Sequence, residues 1–184
     1  VMLLAEKEKN DAAIHLERER QRYQEESMTD QLTRVWNRQA LRQMFQRMEE
    51  EREEMRFFLA MLDMDDFKNL NDTYGHSQGD RYLKSLGQVL LDLSGEQMVP
   101  FRFGGDEFVA LYYGLAPKSI IDRVKECREW DDNSPCPFNQ VSVGVLNCSP
   151  PHMDVDQILQ QVDHIMYQNK LNKAQSRDTQ TKKR

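Results

Sequence analysis

The chain is short of the residues that would fix it by covalent bonds or bury it in a membrane. Only three cysteines, Cys127, Cys136 and Cys148, occur in 184 residues. They are odd in number and lack metal-ligand spacing, so they read as reduced thiols of a cytoplasmic protein. No apolar run approaches the roughly 20 residues that cross a bilayer, and no signal peptide is present. Positive charge is in deficit as well. A net charge of −6 supplies no basic stripe, which argues against a nucleic-acid surface. No segment repeats. The chain opens on Val1 rather than methionine and so reads as a piece excised from a longer protein.

What remains suits one globular domain with a short extra element. Residues 2–27 are charged and contain neither glycine nor proline, which predicts a continuous helix. Met2, Lys9, Leu16 and Tyr23 fall at one heptad position and Ala5, Ala12 and Glu19 at the other. Lys9 and Glu19 break that seam, so a coiled coil and a solvated single helix both stay open. Leu41, Met44, Phe45 and Met48 then recur at helical spacing. Residues 56–62 read as a strand buried on both faces. Ser77–Leu93 reads as a helix with Leu83, Leu86, Leu90 and Leu93 on one side. Val99–Phe103 and Glu107–Tyr112 flank a Gly-Gly turn as a hairpin. A helix is expected near Pro117–Trp130, followed by a Pro- and Asp-rich loop. Val141, Val143 and Val145 alternate as a strand, and residues 155–166 form a last amphipathic helix. The polar stretch 175–184 reads as a disordered tail. Strands separated by helices, with one hairpin between them, predict an α/β sheet flanked by helices.

The chemistry is concentrated in two places. Residues 102–108 read Arg-Phe-Gly-Gly-Asp-Glu-Phe, two glycines followed at once by Asp106 and Glu107. About 40 residues earlier, the apolar run Phe57-Phe58-Leu59-Ala60-Met61-Leu62 ends on Asp63. A Gly-Gly turn alone does no more than reverse a hairpin. A carboxylate ending a buried strand, with two more on a tight turn that can lie against it, is what a two-metal phosphoryl-transfer site needs. An EF-hand reading of Asp63-x-Asp65 fails, because Lys68 stands where that loop requires glycine.

These residues carry a resemblance. The chain is similar to the GGDEF family of diguanylate cyclases over roughly residues 28–172. Gly104 to Phe108 matches the family pentapeptide in full. Asp63-x-Asp65-x-Phe67-Lys68-x-x-Asn71-Asp72, with Gly75-His76 and Gly79-Asp80, matches a second block. Asp30-Gln31-Leu32-Thr33-Arg34-Val35-Trp36-Asn37-Arg38 resembles the family's opening motif, with Arg34 where glycine is usual. The resemblance implies a central, mostly antiparallel sheet like that of nucleotidyl cyclases and polymerase palms. It divides the chain into a linker helix (1–27), a catalytic domain (28–174) and a tail (175–184).

The resemblance also implies the activity: condensation of two GTP into cyclic di-GMP and two pyrophosphates. Two Mg²⁺ ions per site, with Mn²⁺ as an alternative, would be held by Asp63, Asp106, Glu107 and the Met64 carbonyl. Lys68 and Lys170, the latter in Tyr167-Gln168-Asn169-Lys170, would meet phosphate, and Gly104 and Gly105 would let it approach. Phe67 would line the nucleotide site, and His76 would either contact the nucleotide or bridge loop carbonyls. Asn71 and Asp80 would read the base. A carboxylate can accept from both N1–H and the N2 amine of guanine, whereas adenine N1 presents a lone pair. Plainer readings stand beside these: Asp63 as a helix N-cap, Asp80 as a solvated first-turn residue, Lys170 as a solvated lysine. Each protomer would hold one GTP, so a homodimer is part of the mechanism, with an upstream sensor domain feeding the linker.

Two departures bear on function. The family lysine is usually followed by Gly-Arg-Asn, but here Lys173-Ala174 follows, with Lys173 or Arg177 as substitutes for the arginine. The window of the family's inhibitory Arg-x-x-Asp motif reads Gly95-Glu96-Gln97-Met98, so that product site is expected to be absent. The rival reading is a GTP-binding module that relays a signal without turnover. A structural dimerisation domain would leave the carboxylates unexplained.

Overall fold

The computed structural model describes residues 13–20, 23, 27–50, 56–113, 122, 141–148 and 154–181, with side chains as far as Gln175 in the last helix. Residues 13–20 are helical and exposed. The seam residues Leu16 and Tyr23 keep 67% and 71% of their surface in the single chain. Met2, Ala5, Lys9 and Ala12 lie outside the described residues, as does the helix expected near Pro117–Trp130, apart from a helical Asp122.

Among the described residues the domain is built on a five-stranded sheet. Its strands are β1 (Trp36–Asn37), β2 (Phe57–Met64), β3 (Met98–Gly104), β4 (Glu107–Tyr113) and β5 (Val141–Cys148), in the order β1-β3-β4-β2-β5. Neighbours run antiparallel except β1, which lies parallel to β3. The helices are α1 (Arg38–Glu50), α2 (Phe67–Tyr74), α3 (His76–Leu93) and α4 (Val155–Thr181).

β2 is apolar at nearly every position because it is covered on both faces. Phe57, Leu59 and Met61 join a core layer with Leu41, Phe45 and Met48 of α1 and with Ile158, Leu159, Val162 and Met166 of α4. Ala60, Leu62 and Met64 face the other way, toward Tyr82, Leu83, Leu86 and Leu90 of α3. Leu59 and Leu62 are fully buried, and each such side chain contributes about 2 kcal/mol of transfer free energy. By the strand's two-residue alternation, Asp63 shares the α4 side with Met61.

Gly144 fixes how closely α4 approaches. A Cβ at that position would lie 2.5 Å from the Met166 nitrogen and 2.6 Å from the Val162 carbonyl. The helix backbone therefore rests directly on β5. Lys170 follows Met166 by four residues, one helical turn, and so arrives at the end of the sheet where Asp63 stands.

The structure departs from the expectations in three places. β1 was not anticipated, since two residues carry no period, and it makes the sheet mixed. α2 is a separate helix of eight residues, too short and polar to announce itself. Of the tail expected over 175–184, residues 175–181 continue α4 to Thr181, and 182–184 lie outside the described residues. No glycine or proline interrupts residues 155–181, so nothing ends the hydrogen-bond ladder early.

Candidate active site

The end of β2 and the β3–β4 turn meet at one edge of the sheet. Asp63 pairs in register with Glu107 of β4 on one side and with Ser142 of β5 on the other. The turn between Gly104 and Glu107 is closed by a bulge after Arg102, with Gly105 at φ 41°. Tight hairpin turns demand such left-handed backbone, which glycine adopts without strain. Among the described residues nothing lies within 4 Å of a Cβ built at Gly105, so the top of the turn is open on that side. The Met64 amide donates to the Asp106 carbonyl at 3.4 Å, tying the turn to the strand end.

Arg102 holds this turn from below. Its Nη2 and Nε donate to the Gly105 carbonyl at 2.7 and 3.1 Å. Its Nη1 donates to both Asp30 carboxylate oxygens, at 3.0 and 3.2 Å. Asp30 in turn accepts from the Thr33 amide and hydroxyl. Burial disfavours its charge, but these hydrogen bonds and the Arg102 guanidinium outweigh that and hold its carboxyl below the usual range. The opening motif is thereby linked to the Gly-Gly turn. Arg34, the residue in place of glycine, sits at φ 66°.

Opposing charges converge at the strand end. Lys170 Nζ donates to Asp63 Oδ1 in a close ion pair. Burial pushes the Asp63 carboxyl up and Lys170 pulls it down, while Asp106 and Asp65 add to the rise, and the net direction is upward. Glu107 is also pushed up, first by burial and then by Asp63, Asp106 and Asp163. Burial disfavours the Lys170 charge, yet its bond to Asp63 and the surrounding carboxylates raise it overall. Carboxylates held near one another with raised affinity for protons also favour a divalent cation. Among the described residues no three carboxylate, histidine or cysteine side chains form a closed metal cage. Asp63, Asp106, Glu107 and the Met64 carbonyl offer hard oxygen donors of the kind that suits Mg²⁺ when substrate phosphates complete its shell.

A second feature lies between α2 and α3. Asn71 Oδ1 is buried and has no hydrogen-bond partner among the described residues. A Cβ at Gly79 would lie 2.0 Å from that oxygen and 3.1 Å from Phe67 Cζ, so glycine there leaves the Asn71 acceptor its space. A buried acceptor of this kind is open to a donor from a water or a ligand. Asp80, Lys68 and His76 are exposed on the same two helices.

The structure thus brings Asp63, Asp106, Glu107 and Lys170 together, and it sets Phe67, Asn71 and Gly79 in a separate cradle. The N-cap reading of Asp63 fails, since α2 is preceded by Asp66, which makes no side-chain cap. Lys173, one of the two candidate substitutes for the missing arginine, is engaged within the fold. Its ammonium donates to the Val141 carbonyl at 2.6 Å and to Ser142 Oγ at 3.3 Å, and it lies 3.5 Å from Asp65. The side chain of Arg177 lies outside the described residues. Arg102, Ser142 and Asp163 escaped sequence reasoning. Asp163 stands seven residues before Lys170, on the same helical face, which is the one signal that could have found it.

Residues 27–176 match the family model described as "Diguanylate cyclase, GGDEF domain". The chain belongs to the GGDEF family. The GGDEF domain is 34% identical over 161 residues to diguanylate cyclase DgcS of Shewanella oneidensis, covering 80% of this chain and 52% of that protein. It is 30% identical over 168 residues to probable diguanylate cyclase DgcC of Escherichia coli, covering 86% of this chain and 44% of that one. The chain therefore spans about half the length of these relatives. In structure it is similar to the coiled coil and GGDEF domain of DgcB from Caulobacter crescentus, solved in complex with c-di-GMP. That match has a TM-score of 0.73 at 25% identity and covers 91% of this chain and 94% of the other. Diguanylate cyclase SiaD from Pseudomonas aeruginosa, solved with its activator SiaC, matches with a TM-score of 0.71 at 25% identity, over 89% of this chain and 66% of the other. Among the described residues no helix is long and apolar enough to cross a membrane.

Proposed function

We propose that this GGDEF domain is catalytic and condenses two GTP into cyclic di-GMP and two pyrophosphates, working as a homodimer in the cytoplasm. The observation that carries the reading is the Asp63–Glu107 pair, opposed across β2 and β4 beside an open Gly-Gly turn. Asp63, Asp106 and the Met64 carbonyl would hold Mg²⁺, with Glu107 assisting at the second ion. The bound metal would supply positive charge at the α-phosphate and lower the pKa of the attacking hydroxyl.

The chain's own residues do the rest. Asn71 Oδ1 accepts from the guanine amine, which would satisfy its orphaned lone pair. Asp80 accepts from the same edge, and Phe67 and His76 line the nucleotide site. Gly104 and Gly105 leave room for phosphate against the backbone, and Lys68 and Lys170 offset its charge. Lys170 exchanges its partner, Asp63, for phosphate when substrate and metal arrive. One domain orients one GTP, so a second copy must present the other 3′-hydroxyl, and bringing the two together turns the attack into a positioned step. The N-terminal helix is the element proposed to set that pairing and to take input from an upstream sensor.

Incubation with GTP and Mg²⁺, with nucleotides separated by chromatography, tests this. Cyclic di-GMP as product supports turnover. GTP that binds and is recovered unchanged supports the signal-relay reading instead.

A further inference from the structure

Asp65 is a buried carboxylate, 6% exposed, in the two-residue turn between β2 and α2. One oxygen accepts from Ser142 Oγ at 2.5 Å. The other lies 3.5 Å from Lys173 Nζ, which also bonds Val141 O and Ser142 Oγ. One turn earlier on the same helix, Asn169 Nδ2 donates to the Val143 carbonyl at 2.8 Å. α4 is thus fastened along β5, and through Lys173 it reaches under the turn that follows β2. That turn is conformationally demanding, with Asp66 at φ 59°. It joins the strand end carrying Asp63 and Met64 to the helix carrying Phe67, Lys68 and Asn71.

Lys170 and Lys173, three residues apart, pair with Asp63 and Asp65 respectively. The two pairs differ in what substrate would do to them. On the cyclase reading Lys170 leaves Asp63 for phosphate, and the strand end then loses that tie to α4. Lys173 has no such task, because its ammonium already has three oxygen partners within the fold. We propose that Lys173 is a positioning residue: acting through Asp65, it fixes the β2–α2 turn, and so the spacing between the metal-side groups and the nucleotide cradle. This rests on the cyclase reading for its effect on turnover, though not for its effect on the turn. Removing the Lys173 charge would leave the buried Asp65 carboxylate without the cation that contacts it, a costly state that the turn would relieve by opening.

The experiment is a double-mutant cycle on the full chain, with Lys173→Met, Asp65→Asn, both together, and Lys173→Arg as the conservative control. Amide hydrogen exchange over residues 64–71 reads the turn directly, and steady-state kinetics with GTP reads its consequence. Lys173→Met should speed exchange there by about tenfold and lower kcat more than it raises KM. Lys173→Arg should stay near the parent. The double variant should recover part of the loss, because no unpaired charge remains. Additive effects of Lys173→Met and Asp65→Asn, or unchanged exchange in Lys173→Met, would overturn the proposal. So would a change confined to KM, which would mark Lys173 as a phosphate contact. If the parent fails to convert GTP, the cyclase reading falls, while the exchange cycle still decides the role of Lys173.

Discussion

Asp63 and Glu107 stand directly opposite each other in the β2–β4 register, two acids where a sheet ordinarily sets unlike charges or apolar pairs. Like charges so placed destabilise. Lys170 offsets the repulsion in part, but burial first, and then Asp63 and Asp106, push the Glu107 carboxyl above its ordinary 4.5. The folded domain then keeps that proton to higher pH than the unfolded chain does. Stability is lost as pH rises from 4.5 through the raised value, and above it the penalty is fully present. Glu107→Gln should therefore be more stable than the parent at pH 7, by up to about 1 kcal/mol, with the gap closing toward pH 4.5. Mg²⁺ should raise the Tm of the parent more than that of the variant. Thermal unfolding at both pH values checks this, and a variant less stable at pH 7 would contradict it.

Gly144 carries the approach of α4. Gly144→Ala should cost about 3 kcal/mol, because the new methyl meets helix backbone rather than a side chain that can move. Displacing α4 also withdraws Lys170 from Asp63, so turnover should fall further than stability alone explains. Urea unfolding and GTP kinetics measure the two effects. An alanine variant of parental stability would mean that the helix lies farther from β5.

Arg34 holds a left-handed conformation within the turn closed by its own amide on the Asp30 carbonyl, 2.8 Å away. Its side chain is exposed. Arg34→Gly relieves strain of about 1 kcal/mol, partly offset by the freer unfolded chain. A modest rise in the denaturation midpoint with unchanged activity is the expected outcome, and a fall would show that the arginine side chain contributes contacts.

Base selectivity is expected to rest on Asp80. It follows Gly79, whose lack of a side chain leaves room for Asn71 Oδ1. Asp80→Ser removes the acceptor for guanine N1–H and the penalty against adenine N1. The GTP-to-ATP preference, measured as a ratio of kcat/KM, should fall at least about tenfold. An unchanged ratio would remove Asp80 from base recognition.

The local parts of this site were legible in the sequence. Asp63 declares itself by ending an apolar run, and Gly104-Gly105-Asp106-Glu107 by joining turn chemistry to charge. The hairpin and the helix over α3 follow from their periods. What could not be read depends on register and on helix placement. Lys170 is 107 residues from Asp63, and only the seat of α4 on Gly144 brings them together. Arg102 reads as a strand residue until the fold sets Asp30 beside it. α2 and β1 are too short for periodicity to mark them. The helical continuation past Gln175 was hidden because polar composition is shared by tails and solvated helices.

Initial rates of cyclic di-GMP formation from GTP and Mg²⁺, measured against protein concentration for the parent and for Glu107→Gln, test the central claim most directly. The rate per protomer should rise with concentration as two half-sites meet, and the variant should form no product while remaining folded. A folded parent that binds GTP yet yields no cyclic di-GMP at any concentration would contradict the account.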